Sequence, residues 1–173
     1  IDIDKVGIFG DSGGGFMSTA AMLVYPDFFK VAVSSSGNHE NNIYENDWSE
    51  RHHGLKEVLD EEGNTTFDFT IQKNSELAGN LNGHLLLVTG AIDDNVHPGQ
   101  TYRMAQALIK ANKRFDFFLF PGQGHGFTTD SEYFDWIRAD YFNKHLLGDY
   151  ASSVDIIELN REIPLKNSSV KRQ

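Results

Sequence analysis

The segment that most constrains the fold is a short apolar run that leads into a glycine-rich turn and then into a helix. Residues 6–9 (VGIF) are followed by GDSGGG, and the next stretch, FMSTAAMLV, has the Ala, Met and Leu content of a buried helix. The turn fits the pattern G-x-S-x-G, with Ser12 between Gly10 and Gly14. A turn of this kind lifts the serine hydroxyl above the sheet, and the two glycines let neighbouring backbone pass. The sequence therefore predicts a strained, accessible serine at the carboxyl end of a strand.

Glycine-rich turns between a strand and a helix can also bind phosphate. The dinucleotide-binding spacing G-x-G-x-x-G is missing here, and so is the Lys of a P-loop. We therefore interpret Ser12 as a nucleophile. The N–H of Gly13, the next residue, would then be directed at the oxyanion that develops on attack.

Strands and helices alternate along the rest of the chain. The second, third and fourth predicted strands begin at residue 31, cover residues 84–89 (HLLLVT) and cover residues 116–120 (DFFLF). Helices are predicted at residues 99–112, with Pro98 in the first turn, and at about residues 131–147. This alternation indicates a parallel sheet, in which the loops at the carboxyl ends of the strands form the functional site.

A serine hydroxyl is a poor nucleophile at neutral pH, so Ser12 requires a base and an orienting acid at the ends of later strands. Asp93 follows the strand HLLLVT, and His125 follows DFFLF. The order Ser, Asp, His is that of α/β-hydrolases, whereas the His and Asp of chymotrypsin-like proteases precede the Ser. The sequence predicts a triad of Ser12, Asp93 and His125. Asp94 is the alternative acid, because either Asp could instead cap the turn.

Three stretches resemble the catalytic domain of the prolyl oligopeptidase family, and most closely its dipeptidyl peptidase IV branch: VGIFGDSGGG, VTGAIDDNVHPGQTYRMAQAL and FPGQGHGF. The resemblance implies an α/β-hydrolase fold, a mostly parallel sheet with helices on both faces. It supports Asp93, the first Asp of the D-D-N-V-H motif. It also implies a C-terminal fragment in which the N-terminal strands of the sheet are missing. Residues 1–148 would be the C-terminal part of the peptidase domain, and we interpret residues 149–173 as a polar tail.

A fourth stretch, IYENDWSERHHG, resembles the segment that supplies aromatic walls to the substrate pocket in that branch. The resemblance implies that Tyr44, Trp48 and Val96 surround a small apolar pocket suited to proline or alanine. The residue pattern alone would place the two aromatic side chains in the core. Two departures from the branch predict a looser pocket, because Gly13 stands where Tyr is common and Asn41 stands near the place of a bulky aromatic. The upstream donor that helps to hold the oxyanion would lie outside the fragment.

The resemblance implies a serine peptidase that cleaves dipeptidyl or oligopeptide substrates after Pro or Ala through an acyl-enzyme. It suggests a periplasmic or secreted bacterial protein and leaves a homodimer open. An esterase or acylaminoacyl-releasing hydrolase of the same fold is an alternative, because the sheet and triad do not choose the leaving group. A non-catalytic interaction domain is another alternative, which the presence of all three triad residues disfavours.

Charge and composition limit which other partners and cofactors the chain is expected to bind. The net charge of −10 disfavours nucleic acid, and no apolar run is long enough to cross a bilayer. The chain has no Cys, which removes thiolate chemistry and cysteine-ligated metals. His52 and His53 are adjacent and do not share a helix face, so we interpret them as surface or pocket-rim residues. We predict neither a metal nor a cofactor.

Overall fold

A computed structural model describes residues 1–68 and 70–150 of the chain. The strands are β1 (Gly7–Asp11), β2 (Val31–Ser35), β3 (Lys56–Leu59), β4 (Thr65–Asp68), β5 (His84–Gly90) and β6 (Asp116–Phe120). The main sheet has four parallel strands in the order β1-β2-β5-β6, and a separate antiparallel hairpin pairs β3 with β4. All four predicted strands are present, and the hairpin is an addition that the sequence pattern did not predict.

Four α-helices accompany the strands: α1 (Gly13–Val24), α2 (Asn46–His53), α3 (Gly99–Lys110) and α4 (Ser131–Phe142). The long helix predicted at about residues 131–147 is thus an α-helix that continues as a π-helical turn, Asn143–Leu147. Pro98 lies just before α3, and its C=O accepts the first helical hydrogen bond, from the N–H of Tyr102 at 3.0 Å. Short 3₁₀ segments occupy Asn41–Ile43 and Asn74–Asn80. No helix in the described part of the chain is long and apolar enough to cross a bilayer.

Alternate residues of the central strands β2 and β5 enter different hydrophobic clusters, as the two-residue period of a strand requires. Ala32 and Leu87 belong to the cluster that α1 and α3 complete. Val33 and Val88 belong to the cluster that α4 completes. Helices therefore cover both faces of the sheet. This arrangement confirms the predicted mostly parallel sheet with helices on both faces, and it explains why residues 85–88 of the third predicted strand are all apolar.

The hairpin is built from polar sequence that carries little alternation. Most side chains of β3 and β4 are exposed, and the turn between them is held by the carboxylate of Asp60. Asp60 accepts backbone N–H groups from Glu62 and Asn64, and Gly63 adopts a left-handed φ of 85°. Hydrogen bonds from Asn64 lower the pKa of Asp60. Because turn chemistry rather than burial defines this element, a search for apolar periodicity does not find it.

Parallel pairing brings the carboxyl ends of all four strands of the main sheet to one edge. Asp11 pairs with Ser35, Ser35 with Val88, and Gly90 with Phe120. The loops that carry the three predicted triad residues all leave from this edge. The predicted polar tail, by contrast, lies outside the described residues from residue 151 onward.

Candidate active site

Ser12 occupies the sharp turn between β1 and α1. Its backbone has φ 58° and ψ −121°, a conformation that costs an L residue about 1–3 kcal/mol. The N–H of Ser12 donates to the C=O of Ser35 at 2.9 Å, and its own C=O accepts the N–H of Phe16 at 3.0 Å. Hydrogen bonds to the neighbouring strand and to the helix therefore hold the strained turn in place.

The glycines around Ser12 have different reasons to be glycine. A Cβ on Gly10 would lie 2.3 Å from the carbonyl oxygen of Gly14, and a Cβ on Gly15 would lie 2.4 Å from that of Ser35. A Cβ on Gly14 would meet nothing within 4 Å. Before the serine, Gly10 must therefore be glycine for steric reasons, as expected. After the serine, the same requirement applies to Gly15 and not to Gly14.

The acid and the base meet at the carboxyl edge of the sheet. Nδ1 of His125 lies 2.8 Å from Oδ2 of Asp93. A carboxylate only accepts hydrogen bonds, so Nδ1 carries the proton, and Nε2 is the nitrogen that is free to act as a base. Asp93 is 3% exposed, whereas Asp94 is exposed. Of the two candidate acids, the structure brings only Asp93 to the imidazole.

Two backbone hydrogen bonds hold the buried carboxylate of Asp93 in position. Its Oδ1 accepts the N–H of Asn95 at 3.0 Å and the N–H of Val96 at 2.9 Å. A buried charge without partners would be costly, and these donors together with His125 satisfy it. The loop after β5 that carries Asp93, called the acid loop below, is thus folded around this carboxylate in an Asx-type turn.

The acid loop also makes backbone contacts with the end of β6 and with the loop after β6 that carries His125, called the histidine loop below. The N–H of Ala91 donates to the C=O of Phe120 at 2.9 Å, and the N–H of Ile92 donates to the C=O of Gln123 at 3.1 Å. A Cβ on Gly90 would lie 2.3 Å from the carbonyl oxygen of Gln123, so the strand end must be glycine for the two loops to pack. Backbone contacts between the two loops therefore hold Asp93 and His125 in position relative to each other.

Among the described residues, no hydrogen bond joins the Ser12 hydroxyl to His125. The structure therefore brings together the predicted acid and the predicted base, with the serine in a loop at the same edge of the sheet. Catalytic hydrogen bonds are often long or poorly aligned without substrate and tighten in the reacting complex. The nucleophilic role of Ser12 stays a prediction.

Gly13 is the first residue of α1, where N–H groups have no acceptor inside the helix and the helix dipole is positive. This is a suitable place for an oxyanion donor. The space that a Gly13 side chain would fill is taken by an indole, since a Cβ there would lie 2.9 Å from Cζ2 of Trp48. The expectation that Gly13 widens the pocket is therefore not met on this side.

Tyr44 and Trp48 form an aromatic pair beside the acid loop, with ring centroids 5.7 Å apart in an edge-to-face arrangement. Both are partly exposed, and neither belongs to a core cluster, so the interpretation from pattern alone as core residues is wrong. The hydroxyl of Tyr44 donates to Oδ1 of Asn95 at 2.7 Å. Burial, followed by the negative charges of Glu45 and Asp93, raises the pKa of Tyr44.

Asn41 takes part in hydrogen bonds rather than leaving a gap. Its side-chain oxygen accepts a hydrogen bond from Asn38, and its Nδ2 lies 2.8 Å from Nε2 of His53. Its C=O accepts the hydroxyl of Ser49 at 2.9 Å. Burial and the neighbouring His52 lower the pKa of His53, which favours the neutral ring as an acceptor. Val96, the third predicted pocket residue, is buried, and its backbone N–H binds Asp93.

A buried polar network below these loops has no counterpart in the sequence predictions. His39 is fully buried and lies against Asn74, whose Nδ2 is 3.2 Å from Nδ1 of His39 and 3.0 Å from the C=O of Phe16. Burial lowers the pKa of His39 to about 3. Glu40, also buried, accepts hydrogen bonds from Ser75 and Arg103. Single polar residues of this kind lack any periodic signal that could have marked them as buried.

The sheet order, the strained serine turn and the paired Asp and His define the class of the molecule, which is an α/β-hydrolase. Within this class, the model of the prolyl oligopeptidase family matches residues 1–149, and the chain belongs to that family. The resemblance seen in the sequence motifs is thus confirmed.

Individual relatives agree with this placement. The chain is 29% identical over 147 residues to dipeptidyl peptidase 8 of Mus musculus, and 29% identical over 129 residues to prolyl endopeptidase FAP of the same species. These matches cover 85% and 75% of the chain but only 16% and 17% of the relatives. The structure of Porphyromonas gingivalis dipeptidyl peptidase 4 superposes with a TM-score of 0.69 at 25% identity, over 84% of this chain and 20% of that one. The chain is therefore similar to a small part of each of these relatives.

Proposed function

We propose that this chain is part of a serine peptidase of the dipeptidyl peptidase IV type. Ser12 is the nucleophile, His125 the general base and Asp93 the orienting acid. The observation that carries the proposal is the 2.8 Å hydrogen bond between a fully desolvated carboxylate and His125, at the same sheet edge as a strained serine. An Asp that only capped its loop would not need an imidazole partner.

The mechanism follows from the proton that Asp93 fixes on Nδ1 of His125. Nε2 takes the proton of the Ser12 hydroxyl as its oxygen attacks the scissile carbonyl, and Asp93 stabilises the imidazolium. The N–H of Gly13 donates to the oxyanion. Nε2–H then protonates the leaving amine, which departs and leaves an acyl-enzyme. Water, deprotonated by the same nitrogen, releases the acid product and restores the serine.

The proposed substrates are peptides with Pro or Ala on the acyl side of the scissile bond. The aromatic pair of Tyr44 and Trp48 beside the acid loop supports this, since it offers a compact apolar surface close to Asp93. The names of two relatives, a dipeptidyl peptidase and a prolyl endopeptidase, point in the same direction.

Full turnover requires more than this chain in our proposal. One oxyanion donor is Gly13, and we assign the second to a part of a longer protein that lies outside this chain. Loss of one such donor costs about 10²–10³-fold in rate. The 173-residue chain would therefore bind a reactive probe but turn over slowly.

Labelling by a fluorophosphonate tests the nucleophile. We expect the longer protein to be labelled, Ser12→Ala to lose the label, and Ser131→Ala, at an exposed serine, to keep it. Labelling that persists in Ser12→Ala would show that the nucleophile is misassigned. A protein that is never labelled would favour a non-catalytic domain, and cleavage of esters without cleavage of dipeptidyl amides would favour an esterase.

A further inference from the structure

A cavity of about 660 Å³ lies along α1 and reaches the serine turn. At one end it is lined by Gly13 and Trp48, and further along by Ala20 and Val24 of α1. Its volume is within the range of about 300–1,000 Å³ that is typical of small-molecule sites. Because Gly13 directly follows Ser12, one end of the cavity lies beside the serine turn.

The lining of this cavity carries no fixed charge. Although the chain has a net charge of −10, none of the described residues that line the cavity is an Asp, Glu, Lys or Arg. Most lining side chains are apolar, as for Phe16 and Leu77. His53 also lines it, and its lowered pKa keeps the ring neutral at physiological pH. The polar side chains in the lining are those of His52, His53, Gln72 and Asn74. We expect an uncharged, mainly apolar occupant, since a charged group would lose its hydration without gaining an ion-pair partner from an Asp, Glu, Lys or Arg side chain.

The indole of Trp48 stands between this cavity and the acid loop. On one side its Cζ2 lies where a Gly13 side chain would begin, at 2.9 Å from an ideal Cβ. Tyr44 meets the ring edge-to-face and binds Asn95 of the acid loop. His52 stacks on the indole with centroids 4.2 Å apart and planes inclined by 19°. These contacts hold the indole between the cavity and the acid loop. The ring fits there because Gly13 has no side chain.

We propose that the cavity is a second compartment of the active site, which takes a bulky uncharged group of the substrate, aromatic or branched aliphatic. Trp48 separates this compartment from the one formed by Tyr44 and Val96. The inference rests on the proposed function for its link to catalysis, but the binding of an apolar ligand beside Trp48 does not depend on the nucleophile.

Binding is tested directly through the fluorescence of Trp48. The chain has two tryptophans, so Trp136→Phe in the longer protein leaves Trp48 as the only reporter within this chain. We expect 4-phenyl-1-butanol to change the Trp48 emission in a saturable way, and 4-phenylbutyrate, which carries a charge, to do so far more weakly. Ala20→Leu, which fills the cavity from α1, should weaken binding of the alcohol about tenfold.

Two outcomes of this titration would contradict the proposed compartment. One is equal binding of the alcohol and the acid. The other is saturable binding to the 173-residue chain but none to the longer protein, which would mean that another protein segment covers the cavity. Val24→Phe, at a position that is 50% exposed, is a second filling variant in case Ala20→Leu fails to fold. Binding that neither filling variant weakens would place the ligand elsewhere and also contradict the proposal.

The partition is tested by probe size. With a methyl and a naphthylmethyl fluorophosphonate, Trp48→Ala should raise the ratio of bulky to small labelling about tenfold, and Ala20→Leu in that background should reverse the gain. An unchanged ratio would show that Trp48 is not the partition. If neither probe labels the wild type, the proposed function fails, while the alcohol titration still decides whether the compartment exists.

Discussion

The carboxylate of Asp93 binds Nδ1 of His125 at 2.8 Å, and two backbone N–H groups of its own loop hold that carboxylate on its other oxygen. The arrangement fixes the imidazole tautomer and the ring orientation together. It also distinguishes two adjacent aspartates that are chemically identical, because only Asp93 is buried and in contact with the imidazole.

Exchange of the two aspartates for asparagine tests this distinction. We expect Asp93→Asn to lower kcat by about 10⁴-fold, since an amide at this position favours the wrong histidine tautomer. Asp94→Asn, at an exposed position of the same loop, should change kcat by less than about twofold, because surface substitutions rarely perturb a site. Steady-state hydrolysis of a dipeptidyl amide by the longer protein measures both. A larger loss for Asp94→Asn would reverse the assignment.

Glycine-to-alanine substitutions on the two sides of Ser12 should have opposite effects. Gly10→Ala places a Cβ 2.3 Å from the Gly14 carbonyl oxygen, and we expect it to cost about 3 kcal/mol or to prevent folding. Gly14→Ala has no such contact and lies in the first turn of α1, where alanine should stabilise by up to about 0.5–1 kcal/mol. Urea unfolding gives both values, and similar losses in the two variants would contradict the geometry.

His39 should make the protein less stable in mild acid. Its folded pKa of about 3 lies below its ordinary value of 6.5, so between these pH values the unfolded chain binds a proton that the folded chain does not. The free energy of unfolding should therefore fall as the pH drops from 6.5 towards 3, by up to about 1.4 kcal/mol per pH unit from this group.

Comparison with a variant isolates this contribution. His39→Gln should lower stability at pH 7 because Asn74 loses its partner geometry, but it should flatten the dependence between pH 4.5 and 6.5. Chemical unfolding at several pH values provides the test. Parallel curves for the wild type and His39→Gln would show that the buried ring is not responsible.

The sequence predicted the parts of this fold in which local chemistry and tertiary structure agree. The strand before Ser12, the turn and the helix after it each have their own signal, and β5 is recognisable because both of its faces are buried. The positions of Asp93 and His125 followed from strand order, since parallel strands end at one edge of the sheet.

Features that depend on neighbours distant in the chain could not be predicted in the same way. The indole of Trp48 occupies the space beside Gly13 because α2 packs against the start of α1, and no motif records that contact. The burial of His39 is set by Asn74 and by the close approach of Gly37, whose Cβ position lies 2.8 Å from Nε2 of the ring. Histidine and asparagine are ordinary surface residues by composition, so only the folded arrangement identifies them as buried.

The shared hydrogen bonds between the loops after β5 and β6 have a consequence for protein engineering. Because the N–H groups of Ala91 and Ile92 donate to the C=O groups of Phe120 and Gln123, we expect the two loops to keep their relative position. Grafting only one of these loops from a homologue would break the register of the other. Chimaeras that exchange residues 90–96 and 120–126 as a single module should therefore retain a working proton relay where single-loop exchanges lose it.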